Sequence, residues 1–415
     1  MFLQCEEQKL AASHDKWDEN KEAQNLKEME LSGSGLGSSV IQKYWKAVLE
    51  SYVDADIQLR RAAVQVVWLT LNQGLVTPGA SIPTLIAMTT DPVDVIRNRI
   101  DILLKEIDSK YSGMVQSKAM QGVRLSYKLH LKLRMLQQEK FVRGFRFCDF
   151  HLNTLPNALP EKTHDGMAVL SGLYQSLRTN RQQRRSFLQS MVKLFSEEFS
   201  HDKPQLMEYI FIADNLAMFP YQMIDEPLYV MRQIDQNIAQ TGQSLLVQYK
   251  LQLRMQESED EDIVFLDENM MSRLSQLGQI ETFHQLFLDS QVPSLLLYVR
   301  TFLMQLYGFN ETKVAEYQPS EAAKVYEKAV TRRNIHMFKP ITALEALNFP
   351  FEWGSFQHTA FLAEKICSFR KMLLSLDQVE EVEVSNTITA ANDDYDEEED
   401  GGEDSRGPIM EQMEH

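Results

Sequence analysis

The apolar residues of this chain recur at the spacing of amphipathic helices. Ile41, Trp45 and Tyr52 stand four and seven residues apart, which places them on one face of a first helix. A second helix is predicted over about 56–73. Gly74 is expected to end it, because a glycine adopts the left-handed conformation of a C′ residue without a Cβ clash. The opening of the fold is therefore predicted to be a pair of helices.

The same design is repeated in the next segment. A short apolar helix is followed by a longer one that is predicted to open at Asp91 and Pro92, as its N-cap and first helical residue. The acid-then-base order of Asp56 and Arg60 returns as Asp91 and Arg97, 35 to 37 residues later. This lag is close to the HEAT period of about 40 residues, in which paired helices bury their apolar faces against neighbouring pairs.

Apolar periodicity extends along most of the chain. No segment alternates strongly enough to predict a strand. The fold class expected is all-α, a HEAT-type helical-repeat solenoid, with an irregular helical bundle as the alternative because the repeat fades after two pairs. Further helices are predicted at about 114–138, 165–178, 182–199, 205–218, 226–240, 243–256, 281–307, 320–335 and 357–375.

Composition divides the chain into segments. We expect a flexible polar lead, a repeat block that carries the basic residues, an acidic loop, a C-terminal helical block and a disordered acidic tail. From Gln378 to the end there are fourteen acidic residues and one arginine, so this part supplies about −13 of the formal net charge of −17. The body is therefore close to neutral. The predicted boundaries are 1–38, 39–256, 257–268, 269–376 and 377–415.

Several function classes are disfavoured. The three cysteines are far apart and form no CxxC pair, which argues against a disulfide framework or a zinc module. The start, MFLQCEEQKL, has no basic region leading into an apolar core, so no signal peptide is expected. The longest apolar stretch, 292–309, is interrupted by Arg300, so no membrane span is expected. We therefore expect no membrane association.

Enzymatic motifs are also missing. The segment SGSGLGSS at 32–39 has no Lys before its Ser and no preceding strand, so it is interpreted as a linker and not as a phosphate loop. The pairs His14-Asp15, His164-Asp165 and His201-Asp202 suggest a metal phosphohydrolase, but Asp165 and Asp202 are predicted to cap helices. No catalytic residue, metal site or cofactor is therefore predicted.

A basic row is the main candidate binding feature. Arg124, Lys128 and Lys132 stand at i, i+4 and i+8, so they share one helix face. Glu139 is the only acidic residue between Lys110 and Arg146. Like charges at this spacing repel, which indicates an anionic partner, with a solvated helix face as the plainer alternative. The candidate DNA- or phosphate-binding residues are Lys118, Arg124, Lys128, Lys132, Arg134, Arg143 and Arg146.

A second basic cluster lies in RTNRQQRR. Arg178 is predicted to end one helix, whereas Arg181, Arg184 and Arg185 fall in the first turn of the next, where the helix dipole disfavours cations. This placement indicates either a bound anion or bracing against acidic residues of a neighbouring repeat. We favour bracing slightly, with partner binding as the alternative.

Long strings in the chain resemble one known family. From about 60 to 333 the sequence is similar to the C-terminal HEAT block of the Nipped-B-like cohesin loaders. The strings are NQGLVTPGASIPTLIAMTTDP (72–92), KEIDSKYSGM (105–114), FVRGFR (141–146), LYQSLRTNRQQRRSFLQSMVKLF (173–195), IADNLAMFPYQMIDEPLYVM (212–231) and LYGFNETKVAEYQPSEAAKVYEKAV (306–330).

The resemblance implies a scaffold and not an enzyme. It implies a hook-shaped helical solenoid in the nucleus that contacts the cohesin SMC heads, the kleisin subunit and chromatin DNA, and stimulates ATP hydrolysis by the heads. Family members are longer and hold a Mau-2-type partner through an N-terminal segment that this chain lacks, so a fragment or a short isoform is expected. The alternatives are a HEAT-repeat adaptor of the transport or phosphatase-scaffold type and a helical metal-dependent hydrolase.

Overall fold

The computed structural model describes residues 38–137, 142–147, 166–196, 203–253, 280–319 and 326–340, and most positions between 355 and 373. Nearly all of the predicted lead, the acidic loop at 257–268 and the tail at 377–415 lie outside these ranges. The described residues of 38–253 and 281–340 belong to one compact unit, and those of 355–373 belong to a second. The predicted domain limits stay predictions.

The first unit is built from helices, as expected. The longest helix predicted for the C-terminal half, 281–307, is confirmed as Ile280–Tyr307. The helices are α1 (38–51), α2 (Ile57–Asn72), α3 (Ile82–Met88), α4 (Asp94–Lys110), α5 (Met114–Gln137), α6 (Ser171–Leu177), α7 (Arg181–Lys193), α8 (Lys203–Met218), α9 (Asp225–Leu253), α10 (Ile280–Tyr307) and α11 (Glu311–Ala315). Short 3₁₀ turns occur at Pro78–Ala80 and Leu194–Ser196.

Helices pack mainly against helices close in sequence. α2 contacts α4, α3 packs against α4 and α5, α5 contacts α7, and α7 packs against α8 and α9. Every residue of α3 except Pro83 is buried. Gly122 of α5 makes the close approach to α3 possible, since a Cβ there would overlap the Ile86 side chain. Such packing between neighbours is the arrangement of helical-repeat proteins.

Of two predicted helix ends, one is confirmed and the other is wrong. Gly74 follows the C-cap of α2 with φ of +65°, which confirms it as the left-handed C′ residue. The prediction that Asp91 is the N-cap of α4 is wrong, because Val93 occupies that position. The Asp91 carboxylate lies two residues earlier, is buried, and accepts a hydrogen bond from the Val93 N–H at 2.8 Å.

Strands are the main departure from the prediction. Phe145–Phe147 (β1) and Gly166–Ala168 (β2) pair antiparallel, with Arg146 opposite Met167. α6 therefore begins at Ser171 and not at 165 as predicted. Three-residue strands are too short to show a period-two pattern. Their position is fixed by tertiary contacts with α8 that periodicity does not report.

Two further helix predictions need correction. The predicted pair 226–240 and 243–256 is the single helix α9, because the intervening Gly242 is buried inside a continuous helix. The predicted helix 320–335 is wrong over its described part: Ala329 forms an antiparallel bridge with Met223, and the backbone from 326 to 339 is not helical. Hydrogen bonds to 222–225 and 306 hold this segment extended.

In the second unit, the described residues from 357 to 373 are helical, in agreement with the prediction for 357–375. Leu362, Ile366, Phe369 and Leu373 are buried at helical spacing. No helix among the described residues is long and apolar enough to span a membrane.

Candidate nucleic-acid interface and arginine junctions

A buried aspartate joins the first two helix pairs. Asp91 accepts hydrogen bonds from the Tyr52 hydroxyl and from Arg60 Nε, each at 2.8 Å, and all three side chains are buried. Arg60 also donates to the carbonyl oxygens of Asp54 and Ala55, at the turn before α2. One guanidinium thereby neutralises one buried carboxylate and ties two repeats together, as a buried charge requires. We call this set the first junction.

The first junction adjoins a half-buried histidine. A His130 ring nitrogen lies 3.1 Å from the Thr90 carbonyl oxygen. Burial lowers the pKa of His130 to about 4, and the hydrogen bond with the Thr90 backbone and the charge of Asp91 only partly oppose this effect. Burial, reinforced by Asp91, also raises the pKa of Tyr52 well above its usual value. Both groups are therefore neutral at pH 7.

A larger arrangement joins α6 and α7 to the start of α9. Asp225 accepts hydrogen bonds from Arg185 at 2.6 Å, from the Tyr317 hydroxyl at 2.8 Å, from Arg184 at 2.9 Å and from Arg181 at 3.4 Å. Burial would raise the pKa of Asp225, but the hydrogen bonds from Arg185 and Tyr317 outweigh it and lower that pKa. The Asp225 carboxylate is therefore ionised at neutral pH.

Glu226 is the second acid of this arrangement and is fully buried. Its Oε2 accepts from the Tyr174 hydroxyl at 2.7 Å and from the Gln222 N–H at 3.0 Å. Its Oε1 accepts no hydrogen bond and lies 3.7 Å from Arg184 and 3.8 Å from Arg178. We call the set of Arg178, Arg181, Arg184, Arg185, Asp225, Glu226, Tyr174 and Tyr317 the second junction.

The local sequence explains why these arginines converge. Asn180 caps α7 by accepting hydrogen bonds from the N–H groups of Gln182 and Gln183, which starts the helix at Arg181, one residue before the predicted start at about 182. Arg184 and Arg185 then lie in the first two turns, and Arg178 is the C-cap of α6. The arginines lie where the bracing interpretation requires. Whether they brace or bind a partner stays a prediction.

A third cluster fixes the two strands on α8. Asp214 accepts two parallel hydrogen bonds from Arg143, each at 2.8 Å, and one from the Gly144 N–H. The adjacent Asn215 accepts from the Leu170 N–H. A Cβ at Gly144 would overlap the Phe211 carbonyl oxygen, so only glycine fits there. Arg143 is thereby committed to a buried carboxylate.

The basic row is exposed along α5. Arg124, Lys128 and Lys132 are all exposed, whereas Val123, Leu129 and Leu133 are buried. Lys132 donates a hydrogen bond to the Val53 carbonyl oxygen just beyond α1. Ser117 and Gln121 continue the same exposed face, so its described positions carry no acidic side chain. This row is the part of the predicted binding set that the structure brings together.

The remaining predicted residues lie apart from the row. Lys118 and Arg134 are half-buried on other faces of α5. Arg146 is half-buried in β1, and its charge acts on Asp101 and on His130. Its NH1 atom is buried and makes no hydrogen bond. The structure therefore divides the seven candidate residues into two groups. Three of them form the exposed row on α5, and the other four lie apart from it.

Sequence reasoning missed most of the acidic partners. Asp214, Asp225 and Glu226 are separated from their arginines by 40 to 71 residues, and no local pattern reports such pairs. Arg300 likewise contacts Asp235, 65 residues away, and also Glu311, 11 residues away. The acid-then-base order at Asp91 was the one local signal for a junction. Within the described ranges there is no group of three or more His, Cys, Asp or Glu residues that could hold a metal ion. The pairs His164-Asp165 and His201-Asp202 lie outside those ranges.

The sequence of this chain is similar to those of known proteins. Residues 37–237 match the family model described as sister chromatid cohesion C-terminus. The Drosophila melanogaster Nipped-B protein is 34% identical over 80% of this chain and 15% of its own length. The Homo sapiens Nipped-B-like protein is 31% identical over 94% of this chain and 15% of its own. The chain thus spans less than a fifth of these relatives.

A solved structure shows the same fold. The C-terminal fragment of the Chaetomium thermophilum cohesin loader SCC2 superposes with a TM-score of 0.55 and 16% identity, over 85% of this chain and 22% of the fragment. The fold class is therefore all-α and of the helical-repeat type. Together with the family match and the relatives, this assigns the chain by sequence as well as by fold: it belongs to the Nipped-B family.

Proposed function

We propose that this chain supplies a cohesin- and DNA-contacting surface of a cohesin loader in sister chromatid cohesion. It acts as a scaffold on nuclear chromatin that stimulates ATP hydrolysis by the cohesin SMC heads, and it hydrolyses nothing itself. Support comes from the family match and from the solved relative, which is itself named a cohesin loader. The kleisin subunit and DNA are the further partners of the proposal.

The exposed row on α5 is the observation that carries DNA binding. Successive members of the row are four residues apart, which is about 6 Å along a helix. Duplex DNA carries a phosphate charge about every 3.4 Å along the axis on each strand. A row of three cations on one exposed face can therefore contact several phosphates of one duplex. Phosphate contacts set position and not base preference, so the proposed binding is independent of sequence.

Salt dependence tests this role. Each phosphate neutralised on duplex DNA contributes about −0.9 to the slope of log affinity against log salt concentration. Replacing Arg124, Lys128 and Lys132 by Gln should flatten that slope by roughly 2.7. Fluorescence anisotropy on a short duplex across a salt series measures it. A double variant that leaves Lys132 in place should flatten it by about 1.8 and keeps the contact to Val53.

A matched control removes the same charge elsewhere. Lys43, Arg61 and Lys193 are exposed on α1, α2 and α7. Their replacement by Gln lowers the net charge equally, and it should change the slope by less than the row variant does. If the folded row variant kept the wild-type slope, the row would be an ordinary solvated face, and a HEAT adaptor without DNA binding would replace this proposal.

Stimulation of the cohesin ATPase tests the wider function. Phosphate release by purified cohesin with DNA should rise when the chain is added, while the chain alone should release none. Comparing the row variant with its matched control then shows whether DNA contact by α5 contributes. Absence of stimulation by folded wild-type chain would reject a self-sufficient loader segment, and hydrolysis by the chain alone would reject the scaffold assignment.

A further inference from the structure

The exposed apolar side chains of this chain are concentrated in its first two helix pairs. Among the described residues, eight large apolar side chains are exposed, and seven of them lie between 40 and 111. On α4, Val95 is 70% exposed and Ile102 is 60% exposed. They stand seven residues apart and therefore share one helix face. Exposed apolar residues grouped in this way mark an interaction site, whereas isolated ones need no explanation.

Leu103, the residue after Ile102, lines a groove between α4 and the end of α2. Its apolar lining is formed by Leu71, Val76, Pro78, Leu103, Ile107 and Tyr111. Leu103 and Ile107 are buried, whereas Tyr111 is 47% exposed at the rim. The volume of this α2–α4 groove is about 190 Å³. Small-molecule sites usually begin near about 300 Å³, so the groove is better suited to one or two apolar side chains.

The first residue of α1 lies at the edge of this groove. Ser38 donates a hydrogen bond from its Oγ to the Leu75 carbonyl oxygen at 2.9 Å. Gln42 Nε2 donates to Ser38 Oγ at 2.9 Å and lies 3.5 Å from the same carbonyl oxygen. Leu75 directly precedes Val76 of the groove. Leu36 stands two residues before Ser38, so it lies at most about 7 Å from it.

The charge of the α4 face suits an acidic segment. Arg99 lies between Val95 and Ile102 on α4, with its guanidinium 4.9 Å from the centre of the Trp68 ring. The exposed charged residues of α4 from 98 to 110 are three cations and one acid, namely Arg99, Lys105, Lys110 and Glu106. The sequence from 22 to 36 holds three glutamates and one lysine. Its apolar residues include Leu26, Met29, Leu31 and Leu36.

We propose that residues 26–36 of this chain dock on the face formed by α2 and α4, with Leu36 in the α2–α4 groove and Leu31 against Ile102. The two glycines between these leucines allow the backbone to turn back towards the groove within a few residues. The glutamates of the segment are attracted to the three cations of α4. Docking removes apolar surface of both partners from water, which stabilises the contact.

This docking is independent of the proposed contact between α5 and DNA. It uses other helices, and its test contains neither DNA nor cohesin. Failure of one proposal therefore leaves the other in place. The segment around SGSGLGSS would act as a binding element and not only as a spacer.

Photo-crosslinking in the full chain tests the proposal. p-Benzoylphenylalanine in place of Tyr111 puts a photoreactive group of similar shape at the rim of the groove. After irradiation and digestion, mass spectrometry should locate the crosslink within residues 26–36 of the same chain. The same group in place of Val247, which is 57% exposed on α9, is the control and should not capture this segment.

Variants in the Tyr111 photoprobe chain identify the apolar anchors. Leu31→Ser with Leu36→Ser should lower the capture about fivefold or more, because the burial of two leucine side chains is lost. Leu3→Ser with Leu10→Ser makes the same change outside the docking segment and should leave the capture unchanged. Circular dichroism establishes that each variant is folded.

Charge reversal provides a second arm. Lys105 and Lys110 are exposed, so Lys105→Glu with Lys110→Glu should preserve the fold. This variant should capture less of the segment than the wild type at low salt, and the difference should shrink as salt screens the charges. Crosslinks to another segment or mainly to a second chain overturn the proposal. Equal capture by the wild type and either the leucine or the charge variant also overturns it.

Discussion

Two tyrosine–arginine–carboxylate junctions connect helix pairs in this chain, and they differ in how charge is distributed. The first places one arginine against one aspartate, with Tyr52 as the second donor. The second places four arginines around Asp225 and Glu226. We therefore expect Arg60 and Asp91 of the first junction to depend on each other. In the second, Asp225 pairs with three arginines at once, so we expect these arginines to substitute for one another.

The largest effect is therefore expected at Asp225. Asp225→Asn leaves Arg181, Arg184 and Arg185 without their shared carboxylate, and it should lower the free energy of unfolding by roughly 5 kcal/mol. Asp91→Asn leaves only Arg60 unpaired and should cost roughly 3 kcal/mol. Urea unfolding followed by circular dichroism measures both.

The exposed Glu106 provides the control for this comparison, since Glu106→Gln should change stability by less than about 0.5 kcal/mol. A smaller loss for Asp225→Asn than for Asp91→Asn would contradict the view that the second junction depends on one shared carboxylate.

The arginines should show the opposite order. Arg60→Gln leaves Asp91 buried without a cation, so a loss of about 3 kcal/mol is expected. Arg184→Gln should cost only about 1 kcal/mol, because Arg185 and Arg181 still donate to Asp225. Thermal unfolding of the two variants tests this redundancy. Equal losses would mean that the second junction has no spare cation.

Acidification should act on the first junction before the second. The pKa of His130 is lowered to about 4 by burial, so the unfolded chain binds a proton first as the pH falls below 6.5. The contribution of neutral His130 is therefore present above about pH 6.5 and is lost towards pH 4. At pH 5 this loss should be about 2 kcal/mol relative to pH 7.

The measurement is urea unfolding at pH 7 and pH 5 for the wild type and His130→Gln. The variant should lose less stability than the wild type over this interval. Asp225 titrates in the same direction but over a lower pH range: its pKa is lowered below the usual carboxyl value, so its contribution persists at pH 5 and is lost only as the pH falls through that lowered pKa. An identical pH dependence of His130→Gln and wild type would exclude His130 as the titrating group.

The features that could be predicted from the sequence depend on residues close together along the chain. The helix at 281–307, the left-handed Gly74 and the positions of the arginines at the start of α7 follow from spacing and capping within a few residues. The partners of those arginines could not be predicted, since Asp225 and Tyr317 reach them only through the packing of distant helices. The exposed row on α5 was predictable because helical periodicity also assigns the solvent face.

The predictions of secondary structure that were wrong also depend on contacts between distant residues. The strands β1 and β2 are held by the contacts of Arg143 and Gly144 with Asp214. The segment around Ala329 is extended because its backbone bonds to residues about a hundred positions earlier. In both cases tertiary hydrogen bonds outweigh local propensity, and a single sequence carries no direct record of them.

The register of the two strands also fixes where the chain accepts inserted sequence. Phe147 and Gly166 are paired, and Arg143 and Gly144 anchor the same hairpin on α8, so the ends of the intervening segment are held side by side independently of its length. Each doubling of a flexible connection costs only about 0.6 kcal/mol in closure entropy. A fluorescent reporter or affinity tag inserted between Phe147 and Gly166 would therefore leave both arginine junctions and the α5 row intact, giving an internal label that frees both termini of the chain.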